Sequence, residues 1–165
     1  MAAKPRINVK VTDKDAGYRA RITKLLETKQ AAIFVGITEA SGAKAHDVTT
    51  VLDIALIHEY GLGVPRRAFI GDWFLSYKKE ANRLIKKLLI LTVKEGGPHI
   101  VDAVEILGAR AAAACQKYIS DGVHFLPLSP VTIAKKGSSV PLVDTGQLKS
   151  SITYRIGRDK KDGDK

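Results

Sequence analysis

The stretch FIGDWFLSYKKEANRLIKKLLILT, residues 69–92, decides the fold that this sequence predicts. Its apolar side chains recur three and four positions apart, which is the pattern of a long amphipathic helix. They are Phe69, Trp73, Tyr77, Ala81, Leu84, Ile85, Leu88 and either Leu91 or Thr92. Two glycines and a proline at 96–98 end this helix, and a second apolar stripe follows on Ile100, Val104, Leu107, Ala111, Ala114, Cys115 and Tyr118. Because the connection is short, we expect the two helices to pack as an antiparallel pair.

The segments before this helix pair predict strands and shorter helices. Residues 7–11 alternate apolar and polar side chains, as a half-buried strand does, and a helix with Tyr18 and Ile22 follows, capped by Asp13 or Asp15. Residues 31–37 form a short apolar run, which predicts a strand buried on both faces. Residues 38–50 are polar and predict an exposed loop. Residues 51–60 predict a short helix that ends at Gly61.

The segments after the helix pair are shorter and less regular. Ser129 followed by Pro130 predicts the start of a short helix that runs to Lys135. Asp144 is expected to cap another short helix, which holds Leu148. Residues 151–156 alternate as a closing strand does. We therefore predict one α+β domain over residues 1–157, with a small mixed or antiparallel sheet, two long amphipathic helices and several short helices, and a disordered tail over residues 158–165.

Composition and charge exclude several classes of protein. The chain has 165 residues, of which 45% are hydrophobic, so it is too apolar to be intrinsically disordered. A single cysteine excludes an intramolecular disulfide framework and a multi-cysteine metal site. The longest strongly apolar run, residues 88–93, is far shorter than a membrane span, and the first residues do not form a secretory signal. We expect a soluble protein made in a reducing compartment.

The net charge of +10 comes from 27 basic and 17 acidic residues. It permits binding to nucleic acid, to an anionic membrane or to an acidic protein. The first long helix concentrates five basic residues outside its apolar stripe: Lys78, Lys79, Arg83, Lys86 and Lys87. Three interpretations stay open, namely a solvated face, phosphate contacts with DNA, and contacts with an acidic protein partner. No zinc finger, RNA-binding aromatic signature or helix-turn-helix accompanies the charge.

The sequence offers no catalytic constellation. The pair His58-Glu59 would need a second histidine four residues after the first to bind zinc, and that position is Leu62. Cys115 lies among alanines without a neighbour that would lower its pKa, so it is expected in the core. No glycine-rich phosphate loop is present. We expect no enzyme activity, no cofactor and no metal.

Three segments together carry a resemblance to a known family. They are IALIHEYG at 54–61 with VPRRAFI at 64–70, LPLSPVT at 126–132 with Lys135 and Lys136, and PLVDTGQLKSSI at 141–152. In this order and spacing, over residues 31–157, the chain resembles the tail-completion and neck proteins of tailed bacteriophages, also called virion morphogenesis or minor tail proteins. Ala68 and Phe125 depart from the family pattern, which often has a proline and a tryptophan there.

The resemblance implies a structural role. Such proteins complete the tail at the head–tail junction as a ring, often of six subunits, around the DNA path. The implied partners are other copies of the chain, head-completion or connector proteins, tail-terminator or tail-tube proteins, and genomic DNA passing without sequence specificity. The implied location is the virion, assembled in the host cytoplasm, without a membrane. The alternative is a basic, non-specific DNA-binding accessory protein.

The motif residues are the interface candidates under this interpretation. They are His58, Glu59, Tyr60, Gly61, Pro65, Arg66, Arg67, Phe69, Leu126, Pro127, Leu128, Ser129, Pro130, Thr132, Asp144, Thr145, Gly146 and Leu148. We expect Arg66 and Arg67 to pair with acidic groups of a neighbouring subunit, because a guanidinium binds a carboxylate at two points. The alternative is that one of them braces its own loop. Leu142 and Leu148 are expected to dock on the core, with a partner contact as the alternative.

Overall fold

A computed structural model of the chain describes residues 17–27, 31–37, 44–46, 49–94, 97–143 and 146–158. The fold is α+β, as predicted. Its helices are α1 (Tyr18–Glu27), α2 (Val51–Tyr60), α3 (Gly71–Val93), α4 (Ile100–Asp121), α5 (Pro130–Lys136) and α6 (Gln147–Ser150). Its strands are β1 (Ala31–Ile37), β2 (Lys44–His46), β3 (Thr49–Thr50) and β4 (Ile152–Arg158). The strand predicted at 7–11 and the caps Asp13 and Asp15 lie outside the described residues.

The long helices α3 and α4 pack against each other and supply much of the core. Their buried side chains include Trp73 on α3 and Cys115 and Ile119 on α4. Phe69, just before α3, is 0% exposed and joins the same cluster, and so does Val51 at the start of α2. The apolar stripes in the sequence therefore mark the interior sides of the two helices, although α3 begins at Gly71. Ile85 is the exception, because it was predicted in the first stripe and is 38% exposed.

The two longer strands pair antiparallel, in a register that runs from Ala31 opposite Arg158 to Ile37 opposite Ile152. Helix α4 packs on both strands. Gly108 makes this close approach possible, because a Cβ there would lie 2.2 Å from the Tyr154 ring. The Tyr154 hydroxyl in turn donates a hydrogen bond of 2.7 Å to Glu105 on α4. The sheet is thus fixed to the outer side of the helix pair.

Three sequence-based expectations about the sheet were wrong. Strand β1 is not buried on both faces, since Phe34 is 42% exposed and lies under the Arg155 guanidinium at 4.7 Å. The reason is that α4 covers one face of a two-stranded ribbon. Residues 38–50 are not wholly a loop, because β2 and β3 pair there. Arg158, predicted in the disordered tail, ends β4 by pairing with Ala31.

No helix within the described part of the chain has both the length and the apolar character needed to cross a membrane.

Candidate functional site

The three motif segments meet around one cleft of about 590 Å³. Its walls come from α2, from the loop between α2 and α3, from the start of α5, and from the segment around α6. The lining residues are Val51, Ile54, His58, Val64, Pro65, Arg67, Pro127, Leu128, Ser129, Thr132, Lys136, Leu142, Gly146, Gln147 and Leu148. We call this the motif cleft. Local sequence features build each wall.

Helix α2 forms the first wall and has well-defined ends. Thr50 and Asp53 form a capping box, in which each side chain accepts a hydrogen bond from the other residue's backbone N–H. Gly61 ends the helix with a φ of 72°, as predicted. A Cβ at Gly61 would also lie 2.9 Å from the Cβ of Arg66. The chain therefore folds back tightly, and the Arg67 N–H donates to the carbonyl of His58 at 2.8 Å.

Glu59 connects this wall to α3. Its two carboxylate oxygens accept hydrogen bonds from the backbone N–H groups of Ile70 at 3.0 Å and Gly71 at 2.9 Å. These donors begin α3, whose N-cap residue Ile70 has no capping side chain of its own. A carboxylate at this position also interacts favourably with the helix dipole. Glu59, predicted as an interface candidate, is therefore used within its own chain.

Helix α5 forms the opposite wall and starts as the sequence predicts. Pro130 occupies the first helical position, and the Ser129 hydroxyl accepts from the N–H of Thr132 at 3.2 Å. At the other end, the ammonium group of Lys136 donates to the carbonyl of Val140 at 2.9 Å. This bond holds a positive charge beside the cleft.

The third wall is the segment that leads into α6. Leu148 is buried, and Leu142 packs against the same core cluster, so both dock as predicted. Leu142 has a φ of 64°, an unusual conformation for a residue with a branched side chain. The N-cap position of α6 belongs to Gly146, not to Asp144 as predicted. Asp144 and Thr145 lie outside the described residues.

Two buried polar atoms beside the cleft, Nε of Arg67 and Nδ1 of His58, have no hydrogen-bond partner among the described residues. Arg67 is only 7% exposed, and its Nη1 donates a long hydrogen bond of 3.5 Å to the carbonyl of Pro65. Burial lowers the pKa of His58, and the positive charges of Arg67 and Lys136 lower it further. None of the described residues that line the cleft is acidic. The described lining of the motif cleft is therefore mainly apolar, with the basic side chains of Arg67 and Lys136 among it.

Other predicted residues occupy different environments. Arg66 is exposed while Arg67 is buried, so the structure separates two arginines that the sequence treats as a pair. Tyr60 is 67% and Leu126 is 64% exposed. The five basic residues of α3 all lie at the surface, and none forms an ion pair with another residue in the described ranges.

Six lining residues were not among the interface candidates, although Ile54, Val64, Lys136, Leu142 and Gln147 belong to the motif segments. The six are Val51, Ile54, Val64, Lys136, Leu142 and Gln147. Of these, Val51 and Ile54 could have been predicted from the sequence, because they lie three and four residues apart with His58 on one side of a predicted helix.

The one cysteine of the chain, which could in principle act as a nucleophile, lies in the core. Cys115 is 0% exposed, and burial raises the pKa of its thiol to about 12, so the reactive thiolate is suppressed. Among the described residues, no group of three or more histidine, cysteine or acidic side chains is placed to hold a metal ion.

A second surface lies on the outer side of α3. It carries large apolar side chains that the fold leaves uncovered: Phe74 at 58%, Leu75 at 72%, Ile85 at 38% and Leu89 at 36% exposure. Lys78 and Asn82 lie between them on the same side. We call this surface the α3 outer face.

Comparisons with family models, with curated proteins and with solved structures each find no match to this chain.

Proposed function

We propose that this protein is a structural component of the head–tail junction of a tailed bacteriophage, where copies of the chain associate into a ring around the DNA path. The α3 outer face is the observation that carries the proposal. The resemblance of the three motif segments supplies the virion context, and those segments converge on the motif cleft. In this role the protein would bind other copies of itself and dock on other virion proteins.

The α3 outer face favours contact with a second copy of the chain, and in a ring it would pack on a different surface of that copy, because a face that packs on itself closes as a dimer. Single folded chains seldom leave several large apolar side chains uncovered along one side of a helix, and such surfaces mark protein contacts. Leu75, Asn82 and Leu89 are spaced seven residues apart, with Lys78 and Ile85 between them. This is the spacing of a helix–helix seam, and a central asparagine is a known device for fixing its register.

The alternative function, non-specific DNA binding, rests on the exposed basic residues of α3. Duplex binding through six to ten phosphates would weaken by roughly 10³–10⁵-fold between 50 and 200 mM salt. A ring protein past which DNA slides is expected to bind duplex weakly at either salt concentration. A salt titration with a random-sequence duplex therefore separates the two functions.

The assembly test uses the full chain, light scattering after size exclusion, and negative-stain images. We expect the wild type to form a closed ring and the double variant Leu75→Glu/Leu89→Glu to be monomeric but folded. The matched control is Lys79→Glu/Arg83→Glu, which changes two exposed side chains on another side of the same helix and should leave the ring intact. A wild-type monomer at every concentration, or equal loss of assembly in both variants, would refute self-association through this face.

The virion role needs a separate test. Phage particles that lack this protein are expected to accumulate as filled heads and separate tails, visible by negative stain. Complete infectious particles made without it would exclude the junction role, even if the purified protein forms rings.

A further inference from the structure

We propose that the outer side of α2 is the surface on which the α3 outer face of a neighbouring copy packs, so that copies join head to tail. The inference rests on the self-association proposed above and names the two surfaces that meet. Its evidence is the exposure of apolar side chains on α2, the charge of the two helices and the requirement that a ring places on its contacts.

The exposed side of α2 is apolar. Leu52, Leu56 and Tyr60 are spaced four residues apart on one side of the helix, and they are 37%, 42% and 67% exposed. Val51, by contrast, is 1% exposed in the core. Asp53 is exposed beside these apolar side chains. We call the surface of Leu52, Asp53, Leu56 and Tyr60 the α2 outer face. A helix side that faces only solvent is normally polar, so this surface is suited to a protein contact.

A closed ring needs two different surfaces on each copy. A surface that packs on its own counterpart gives a two-fold dimer, whereas a surface that packs on a different one leaves a free end on every copy until the ring closes. The α3 outer face is one of these surfaces, and it has the spacing of a helix–helix seam. Its counterpart should therefore be an exposed apolar side of another helix, which the α2 outer face is.

The two helices also carry opposite charge. Helix α2 holds Asp53 and Glu59 and no lysine or arginine, while α3 holds five basic residues against two acidic ones. Hydrogen bonds from Thr50 lower the pKa of Asp53, so its carboxylate is charged at neutral pH. Lys78 on the α3 outer face is exposed and forms no ion pair within the described ranges. Lys78 of one copy can therefore meet Asp53 of the next, which favours this pairing of surfaces over others.

Two other exposed apolar sites fit this partner less well. Leu126 and Val131 are 64% and 66% exposed, but residues 122–143 contain no acidic side chain that could face a lysine. On α4, the exposed Val101 and Ile106 are five residues apart, so they do not share one side of the helix. Of these sites, the α2 outer face combines an apolar side of a helix with a negative charge.

The experiment uses the full chain and light scattering after size exclusion, at a concentration where the wild type assembles. The α2 variant is Leu56→Glu/Tyr60→Glu, and circular dichroism checks that it folds. We expect it to elute with the mass of a single chain, 17.9 kDa, because glutamates replace the apolar contact. The α3 variant, Leu75→Glu/Leu89→Glu, should behave in the same way.

The matched control is Leu126→Glu/Val131→Glu. It places the same charges on apolar side chains of comparable exposure at a different surface. We expect this control to keep the mass of the wild-type assembly.

Mixing the α2 variant with the α3 variant tests the head-to-tail arrangement. The α2 variant keeps an intact α3 outer face, and the α3 variant keeps an intact α2 outer face, so one intact contact forms between them. We expect heterodimers with one copy of each variant and nothing larger, because the two remaining surfaces both carry glutamates. A face that packs on itself would give no such heterodimer.

Cysteine crosslinking checks the same contact with milder substitutions, should the α2 variant fail to fold. Leu56→Cys and Lys78→Cys each add one exposed thiol, while the native Cys115 is buried. A short bis-maleimide should crosslink copies in a mixture of the two proteins, and neither protein alone.

Four results would overturn the proposal and leave self-association standing. They are an α2 variant that assembles like the wild type, an equal loss of assembly in the control, a mixture that stays monomeric, and crosslinking of Lys78→Cys alone. A wild type that is monomeric at every concentration would instead refute the proposed self-association on which the inference rests.

Discussion

Gly108→Ala tests the contact between α4 and the sheet. A Cβ at this position would lie 2.2, 2.6 and 2.9 Å from three carbons of the Tyr154 ring, and ordinary contact begins at 3.4 Å. The ring would have to move by roughly 1 Å in a close-packed site, and overpacking of this kind costs about 1–3 kcal/mol. Alanine is also about 1 kcal/mol better than glycine inside a helix. We therefore expect net destabilisation of about 1 kcal/mol.

The same substitution should change sign when the ring is removed. In a Tyr154→Ala background the clash is gone and the helix preference remains, so Gly108→Ala should stabilise by about 1 kcal/mol. The coupling free energy between the two positions is then about 2 kcal/mol. Ala109→Gly, at an exposed position of the same helix, measures the helix preference alone.

The assay is urea unfolding followed by circular dichroism, at one protein concentration, because assembly would otherwise shift the midpoint. Stabilisation by Gly108→Ala in the wild-type background, with no coupling to position 154, would refute the close approach of α4 to β4.

Three further predictions concern the motif cleft and its supports. Glu59→Ala removes the acceptor for two N–H groups at the start of α3. It should lower the free energy of unfolding by about 1–2 kcal/mol in urea titrations, and Glu59→Gln should be intermediate. An unchanged midpoint would contradict the capping role. Gly61→Ala and Gly63→Ala both put alanine at positive φ, which costs about 1–2 kcal/mol. Gly61→Ala should cost more, because its Cβ would meet Arg66 while nothing lies within 4 Å of a Cβ at Gly63. Equal losses would show that the turn relaxes freely. The pKa of His58 is lowered in the folded chain, so the unfolded chain binds the proton more readily. The contribution of His58 to stability is therefore full above pH 6.5 and declines as the pH falls below it. His58→Gln should flatten this slope in unfolding measured across pH, and an unaltered slope would assign it to other groups.

The helices were predictable because local signals define them. Each of these signals acts over a few neighbouring residues. They are the three- and four-residue spacing in residues 69–92, the left-handed glycine at 61 and the helix start at Ser129-Pro130. Strand β4 was predictable for the same reason, since its alternation is local. The exposed face of β1 was not, because whether Phe34 is covered depends on the number of strands and helices that pack beside it.

The motif cleft was beyond sequence reasoning for a physical reason. It joins His58 to Lys136 and Gln147, which lie far apart in the chain, and no periodicity reports such a contact. Arg66 and Arg67 are adjacent and chemically identical, yet the turn at Gly61 exposes one and buries the other. The function of Glu59 was equally hidden, because its partners are backbone groups eleven and twelve residues ahead.

The two-point attachment of Glu59 has a mechanical consequence. His58 and Glu59 are consecutive, so the residue that faces the cleft is one peptide bond from the residue that holds the start of α3. A displacement of the end of α2 would therefore reach the start of the 23-residue helix α3 by two routes, the hydrogen bonds to Glu59 and the covalent loop between the helices. The motif cleft and the α3 outer face are thus connected through one glutamate side chain.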